Sequence, residues 1–200
     1  MARTAYRVRR RPACICSGRR RGSRCWGDGA SGGGPMAPAR EEEAGRRVES
    51  VWDYPRPPRC ERDSRRVTVR HEGVTLADST GCFRVLETSH PPVFYIPRDD
   101  VRTDLLRRSP RTTWCEWKGA ASFWDLATPH GVRTEVAWSY EEPSAAFAAI
   151  RGCLAFYASD DVRCSVAGDP VRPQPGEFYG GWITSEITGP FKGAPGTTGW

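Results

Sequence analysis

The segment that decides the fold prediction is Thr112-Thr-Trp-Cys-Glu-Trp-Lys-Gly-Ala-Ala-Ser-Phe-Trp124. Its β-branched and aromatic residues predict two strands, at residues 112–117 and 122–126. Between them lies Lys118, one of only two lysines in a chain with 28 arginines. Lysine can lose its proton, form an imine or act as a compact donor, whereas arginine stays charged and planar. We therefore expect this lysine to mark a functional site.

Two interpretations of Lys118 follow from its position near the end of a strand. Side chains alternate between faces along a strand, so that Trp114, Glu116 and Lys118 share one face. Gly119 can bend the chain directly afterwards and present the amine at the rim of a site. Alternatively, Glu116 and Lys118 form an ordinary ion pair at a strand end, which stabilises a protein by only about 0–1 kcal/mol.

The flanking sequence predicts a mainly antiparallel β domain with two or three short helices. Residues 66–70 and 74–77 flank the polar turn His71-Glu72-Gly73 and predict a β-hairpin. Further strands are predicted at residues 93–96, 134–140, 154–157 and 162–166, and short helices at residues 97–106 and 143–150. Residues 79–88 are ambiguous between helix and strand. Strands outnumber helices, which is typical of a mainly β fold.

The two ends of the sequence differ from the domain between them, which we place at residues 50–166. Residues 1–46 are rich in arginine and glycine and lack periodicity, which predicts a disordered basic leader. Met36 is an alternative start, so the mature protein need not contain this leader. Residues 167–200 are rich in glycine and proline but also carry aromatic residues, namely Phe178, Tyr179, Trp182, Phe191 and Trp200. We expect this tail to have little regular structure and to pack its rings on the domain or on a partner.

The charge and cysteine patterns limit the classes of function. Nine arginines and one acid lie in residues 1–35, so most of the formal charge of +6 belongs to the leader and nucleic-acid binding by the domain is not expected. No apolar run approaches the roughly 18 residues of a membrane span, and no secretory signal follows the leader. We expect a soluble, cytoplasmic protein with reduced cysteines. The histidines at positions 71, 90 and 130 lie singly in turns and no Cys-x-x-Cys pair occurs, so neither a metal nor a cofactor is expected.

Aromatic residues near the lysine are the next candidates. Trp138 and Tyr140 share one face of the strand predicted at residues 134–140. Tyr140 could donate to a ligand from the strand exit, or to a buried backbone carbonyl, and Tyr157 has the same two options. Trp117 and Trp138 are candidate walls of a site, although tryptophans in such strands are more typical of a core than of a stacking surface.

Two acidic residues complete the set of candidates. Asp78 follows the predicted hairpin, and Glu87 lies in the ambiguous segment after it. Each is a loose acid–base candidate; the alternatives are a helix cap for Asp78 and a surface charge for Glu87. The adjacent acids Asp99-Asp100 and Asp160-Asp161 point apart in regular structure and make poor ligands for paired metal ions.

Several short motifs occur in a fixed order along the chain. They are Ala77-Asp78-Ser79, Glu87, Tyr95-Ile96-Pro97 with Asp100-Val101, Thr113-x-Cys115-x-Trp117-Lys118-Gly119-x-Ala121, Ala137-Trp138-x-Tyr140-x-x-Pro143 and Ala155-Phe156-Tyr157. Over about residues 50–166 this set resembles the bacterial and fungal family called domain of unknown function 427. The tail resembles that of a single-domain actinobacterial-type branch. The chain differs from the usual family pattern at Glu116, where proline is common.

The resemblance implies a β-tent fold, in which two antiparallel sheets meet at an angle, similar to methionine-sulfoxide reductase B and to small zinc-binding tent domains. It implies no settled activity. The family also carries a nucleotidyltransferase label, but the paired carboxylates and the glycine-serine loop of that chemistry are missing from this sequence. The Cys-x-x-Cys pairs of the zinc-binding relatives are missing too, so no zinc is expected.

Two hypotheses of function follow. In the first, the cleft between the sheets is a small-molecule binding or catalytic site, with Lys118 and Tyr140 as its catalytic residues. Its ligand-binding residues would be Trp117, Trp138, Asp78, Glu87 and Tyr157. In the second, the chain is a non-catalytic interaction module that docks a partner or forms a homodimer through its aromatic tail.

Overall fold

A computed structural model describes residues 47–176, 178–197 and 199–200. The leader predicted at residues 1–46 therefore lies outside the described residues. In the described part, the chain forms fifteen strands and four short 3-10 helices. The strands are β1 Glu49–Ser50, β2 Arg59–Asp63, β3 Val67–His71, β4 Val74–Ser79, β5 Cys82–Leu86, β6 Val93–Tyr95, β7 Leu106–Cys115, β8 Gly119–Thr128, β9 Gly131–Ser139, β10 Leu154–Phe156, β11 Val162–Val166, β12 Asp169–Pro170, β13 Arg172–Pro173, β14 Trp182–Ile183 and β15 Ile187–Thr188. The 3-10 helices are Val51–Asp53, Arg98–Asp100, Thr103–Leu105 and Ala145–Ile150.

Two four-stranded antiparallel sheets form most of the fold. The first has the order β10-β9-β8-β7 and the second the order β12-β11-β3-β4. A three-stranded sheet, β2-β5-β6, is linked to the first by a bridge between Ile96 and Leu154. In addition, β13 pairs with β14, and β1 pairs in parallel with β15. The mainly β fold with a few short helices is confirmed, and the smaller sheets add to the two that were expected.

The hairpin predicted around residues 71–73 is confirmed. Glu72 and Gly73 both have positive φ, 46° and 82°, which is the geometry of a two-residue turn that matches the twist of its strands. In β3, the buried Val67 and Val69 alternate with more exposed residues. This period of two decides which face of the hairpin enters the core.

The helix predicted at residues 97–106 is wrong. The backbone forms two separate 3-10 turns there, because Val101 pairs with Ala77 in an isolated bridge and takes an extended conformation. The helix predicted at residues 143–150 is a 3-10 helix with a non-helical residue inside, Phe147 at φ −115° and ψ 19°. Across the described residues, no helix combines the length and the apolar character needed to cross a membrane.

The tail supplies one of the largest side chains of the core. Trp182 in β14 is buried and stacks on Phe94 in β6, with ring centroids 5.3 Å apart. Its indole N–H donates to the Phe156 carbonyl over 2.9 Å. All three residues belong to the largest hydrophobic cluster, which spans both four-stranded sheets. Through this ring the tail packs on the core of its own chain.

Trp182→Ala is expected to lower the free energy of unfolding by about 3–5 kcal/mol, because it removes a fully buried ring and leaves a cavity. Val132→Ala is the control, since Val132 is an apolar side chain that is 57% exposed and its truncation is expected to cost less than about 0.5 kcal/mol. Urea unfolding followed by circular dichroism measures both. A loss below about 1 kcal/mol for Trp182→Ala would contradict the place of the tail in the core.

Candidate functional site

A cavity of about 410 Å³ is lined by residues of strands β5 to β9 and by residues of the tail. Six of the seven site residues predicted from the sequence line it, namely Lys118, Tyr140, Glu87, Trp117, Trp138 and Tyr157. The seventh, Asp78, is not among the lining residues. It is exposed on β4, where its carboxylate accepts hydrogen bonds of 2.8 and 2.6 Å from Arg66.

A tight turn places Lys118 in the cavity. β7 ends at Cys115, which pairs with Gly119 at the start of β8, so residues 116–118 form the turn of a hairpin. The prediction that a strand continues to residue 117, with Glu116 and Lys118 on one strand face, is therefore wrong. Gly119 has φ +94°, a backbone conformation that favours glycine.

The turn is fixed from outside by the residue that precedes the last 3-10 helix. The Ser144 hydroxyl donates to the Trp117 carbonyl over 2.6 Å. The Ser144 backbone N–H donates to the Lys118 carbonyl over 3.3 Å. These two hydrogen bonds tie the turn to the 3-10 helix Ala145–Ile150, whose Phe147 lies close to the lysine amine.

The Lys118 side chain is buried among aromatic rings and is only 8% exposed. Its Nζ lies 5.7 Å from the centroid of Tyr140 and 5.5 Å from that of Phe147. Among the described residues, no hydrogen bond or ion pair reaches this amine. Glu116 lies 3.4 Å from Arg56 instead, so the Glu116–Lys118 ion pair considered from the sequence does not form.

Aromatic rings form the walls of the cavity. Trp138 packs against Tyr157, with ring centroids 4.4 Å apart, and Tyr95 lies 6.2 Å from Tyr140. Burial raises the pKa of the Tyr140 hydroxyl, and burial is also the first cause of the raised pKa of Tyr157. Both hydroxyls are therefore neutral near pH 7, and that of Tyr157 donates to the Phe178 backbone carbonyl over 3.3 Å, one of the two options considered from the sequence.

The acids that line the cavity share one arginine. Glu87 lies 4.0 Å from Arg56 and Glu116 lies 3.4 Å from it. The same guanidinium lies 6.0 Å from the centroid of Trp117. The carboxylates thus pair with Arg56, and neither one neutralises Lys118.

The tail closes one side of the cavity. Gly180 lies so close to Trp138 that a Cβ at this position would be 2.2 Å from the indole ring. Phe178, Tyr179 and Gln174 of the tail also line the cavity. These residues were not predicted as part of the site. The sequence did contain a signal for this part of the site, because the aromatic residues of the tail distinguish it from a disordered segment.

His90 is a further lining residue that the sequence reasoning set aside, because it has no second histidine at a metal-binding spacing. The side chain of Gln174 fixes the tautomer of the His90 ring. Gln174 Oε1 accepts from Gly181 N–H at 3.1 Å, and Nε2 donates to the Lys192 carbonyl at 2.8 Å. The same Nε2 lies 3.1 Å from His90 Nδ1, which must accept, so the ring proton sits on Nε2.

The electrostatic surroundings keep His90 neutral. Burial, followed by the charges of Lys192, Arg56 and Lys118, lowers its pKa to about 4. Protonation of Nδ1 would also replace the accepted hydrogen bond by two opposed N–H groups. His90 therefore presents a neutral Nε2–H donor at pH 7.

The stability of the protein is expected to fall between pH 6.5 and 4.5 because of His90. In this range an unfolded histidine, with a pKa of about 6.5, takes up a proton while the folded ring with its pKa of about 4 does not, so acid favours unfolding by about 2 kcal/mol. Urea unfolding at a series of pH values measures the slope of the free energy of unfolding against pH. His90→Gln removes most of it, whereas His130→Gln, at an exposed position, leaves it unchanged. An equal slope in the His90→Gln variant would contradict this assignment.

The arrangement offers two kinds of chemistry. A lysine amine can hold an anionic group by charge and hydrogen bonds, and in its neutral form it can condense with a carbonyl to give an imine and water. The Tyr140 hydroxyl can donate a hydrogen bond beside it, whereas the Tyr157 hydroxyl donates to the Phe178 carbonyl. Among the described residues, no group of three or more His, Cys, Asp or Glu side chains is placed to hold a metal ion.

A protein-family model matches residues 59–167 and is described as Domain of unknown function (DUF427). The match covers more than half of the chain and includes β2 to β11 with the Lys118 turn. A search of curated proteins found no match. The chain belongs to the DUF427 family.

Proposed function

We propose that this member of the DUF427 family binds a small organic anion in the cavity, and that the Lys118 amine recognises the anionic group. The observation that carries the proposal is that Lys118 as a residue is 8% exposed and that its amine has no acceptor or counterion among the described residues. A buried cation without a partner is unfavourable for folding. A ligand that brings a carboxylate or a similar group would supply the partner.

The acids of the cavity support an anionic ligand. Glu87 and Glu116 both lie beside Arg56 and not beside the lysine, and the lining as a whole has four cationic side chains against these two acids. The faces of Tyr140 and Phe147 stabilise the ammonium group in part, by about 0.5–2 kcal/mol per ring at best. Two rings at more than 5 Å do not replace a hydrogen-bond acceptor, and this leaves the amine available.

The size and walls of the cavity support a small molecule with a flat apolar part. A volume of about 410 Å³ lies within the range of about 300–1,000 Å³ that is usual for small-molecule sites. Trp138 and Tyr157 provide ring surfaces, and the neutral His90 and Tyr140 provide hydrogen-bond donors. Such a lining suits an aromatic carboxylate, with its ring against the walls and its carboxylate at the lysine.

Binding of benzoate, measured by isothermal titration calorimetry, tests the proposal. The wild-type protein is expected to bind benzoate, and Lys118→Met to abolish binding, because methionine keeps the stem but removes the charge. Lys118→Arg is expected to weaken binding at least tenfold, since the guanidinium group is larger than the amine and is planar. Equal affinities in the three proteins would refute the role of the lysine.

The stability of Lys118→Met provides a second test. We expect its free energy of unfolding to rise by about 1 kcal/mol, because the substitution removes an unpaired buried charge while keeping the apolar contacts. Urea unfolding without ligand measures this change. A lower stability would instead indicate that the lysine is a structural residue.

A second function, self-association, is favoured by the exposed rings at the cavity. Trp114 and Phe178 line it and are 77% and 64% exposed. Exposed rings of this size are typical of interaction surfaces. Sedimentation velocity is expected to show a dimer that dissociates in Trp114→Thr. A wild-type protein that stays monomeric at high concentration would exclude this function.

We also propose that the protein works in a reducing compartment such as the cytoplasm. Cys60, Cys82, Cys115, Cys153 and Cys164 are all free. Burial raises the pKa of Cys82 and Cys153 to about 11, so these thiols stay protonated and unreactive. Buried free thiols of this kind are usual where glutathione keeps cysteines reduced.

A further inference from the structure

Both lysines of the chain line the same cavity. Lys118 and Lys192 are the only lysines among 200 residues, while 28 arginines carry the remaining basic charge. They come from distant parts of the sequence, one from a hairpin turn and the other from the tail, yet both reach the cavity. Both side chains of the chain that carry a compact amine therefore belong to the lining of one cavity.

The two lysines also share their local sequence and backbone geometry. Each lies in an aromatic-Lys-Gly-Ala segment, Trp117 to Ala120 and Phe191 to Ala194. The glycine after each lysine has positive φ, +94° in the first segment and +113° in the second. In the second segment a Cβ on the glycine would lie 1.9 Å from the Pro175 carbonyl oxygen, so only glycine fits there.

The backbone at each lysine is held by donors from another part of the chain. The Lys118 carbonyl accepts from the Ser144 backbone N–H at 3.3 Å. The Lys192 carbonyl accepts from the Gln174 side chain at 2.8 Å, and the Lys192 N–H donates to the Ser89 carbonyl at 2.9 Å. Both lysines therefore extend from fixed backbone positions beside the cavity.

Lys192 is partly buried, and its amine, like that of Lys118, lies near an aromatic ring. It lies 6.0 Å from the centroid of Tyr179 and donates to the Trp200 carbonyl. An ammonium group has three N–H donors, so further donors are left for a ligand. Both lysines act on His90, since their charges contribute, after burial, to the lowered pKa of its ring. The neutral His90 thus lies within electrostatic reach of both amines.

The arginines of the cavity are already paired, unlike the lysines. Arg56 lies beside Glu87 and Glu116. Arg111 forms an ion pair with Glu135. Among the described residues, no Asp or Glu side chain lies within ion-pair distance of either lysine amine, and the hydrogen-bond partner of the Lys192 amine is the main-chain oxygen of Trp200.

We propose that the ligand of this cavity carries two anionic groups joined by a flat apolar part, with one group at Lys118 and the other at Lys192. This inference rests on the proposed function and specifies the class of ligand. The aromatic walls, Trp138 and Tyr157 among them, contact the apolar part. Because Lys192 belongs to the tail, the tail determines whether a second anionic group is accepted.

Calorimetric titration of the full chain with aromatic carboxylates tests the proposal. The probes are benzoate, with one charge, and the dicarboxylates isophthalate, terephthalate and 2,6-naphthalenedicarboxylate, which differ in the spacing of their charges. At least one dicarboxylate is expected to bind ten times more tightly than benzoate. The monomethyl ester of that dicarboxylate has nearly the same shape but only one charge, and it is expected to lose this gain.

Variants identify the amine that holds the second group. Lys192→Gln is expected to remove the preference for the dicarboxylate while changing the benzoate affinity by less than twofold. Lys118→Gln is expected to weaken both probes. Arg163→Gln is the matched control, because it removes one positive charge from an exposed position on β11 outside the cavity, and it is expected to change neither affinity.

The outcomes separate this inference from the proposed function. If benzoate binds through Lys118 but no dicarboxylate binds more tightly than its own monoester, the two-anion inference is wrong and the proposed function stands. A preference that persists in Lys192→Gln also overturns the inference. If neither benzoate nor any dicarboxylate binds, both are wrong. The comparison of diacid with monoester uses the wild-type protein and so holds even where a variant fails to fold.

Discussion

The packing of the tail on the core is the constraint on which the cavity depends. Trp182 stacks on Phe94 and donates to a carbonyl of β10, and this contact holds the neighbouring tail residues over the aromatic wall. Gly180 then lies directly against Trp138, where any side chain would clash. Without the tail, the cavity would be an open face of rings. The family match ends at residue 167, so one wall of the site comes from a segment beyond the matched domain.

Arginine and lysine side chains have different partners at the site. The arginines around the cavity pair with carboxylates, as Arg56 and Arg111 do, and they fix the loops and strand edges that carry those acids. Among the described residues, neither lysine has a carboxylate side chain beside it, and Lys192 donates to the main-chain oxygen of Trp200. A compact amine with three donors suits a small ligand group, whereas the planar guanidinium suits a fixed carboxylate. His90 stays neutral between these cations because a hydrogen bond from Gln174 and burial both oppose its protonation.

Much of the fold follows from local patterns, and the exceptions have physical causes. The hairpin at residues 71–73 was predictable because turn chemistry and alternation are both local. The helix predicted at residues 97–106 is not present, since Val101 pairs with Ala77, more than twenty positions earlier. The end of β7 was also missed, because strand propensity at residues 116 and 117 gives way to a turn that Ser144 fixes from another segment. In both of these exceptions, a residue distant in sequence determined the local structure.

The sequence by itself determined the mainly β class and six of the side chains that line the cavity, because aromatic strands and an isolated lysine are visible in composition and spacing. Only the tertiary structure decided which of them meet. It leaves Asp78 outside with Arg66, and it adds His90 and Lys192, which were not predicted as site residues. The physical reason is that burial, hydrogen bonding and the pairing of charges depend on neighbours that chain topology brings together from far apart in the sequence.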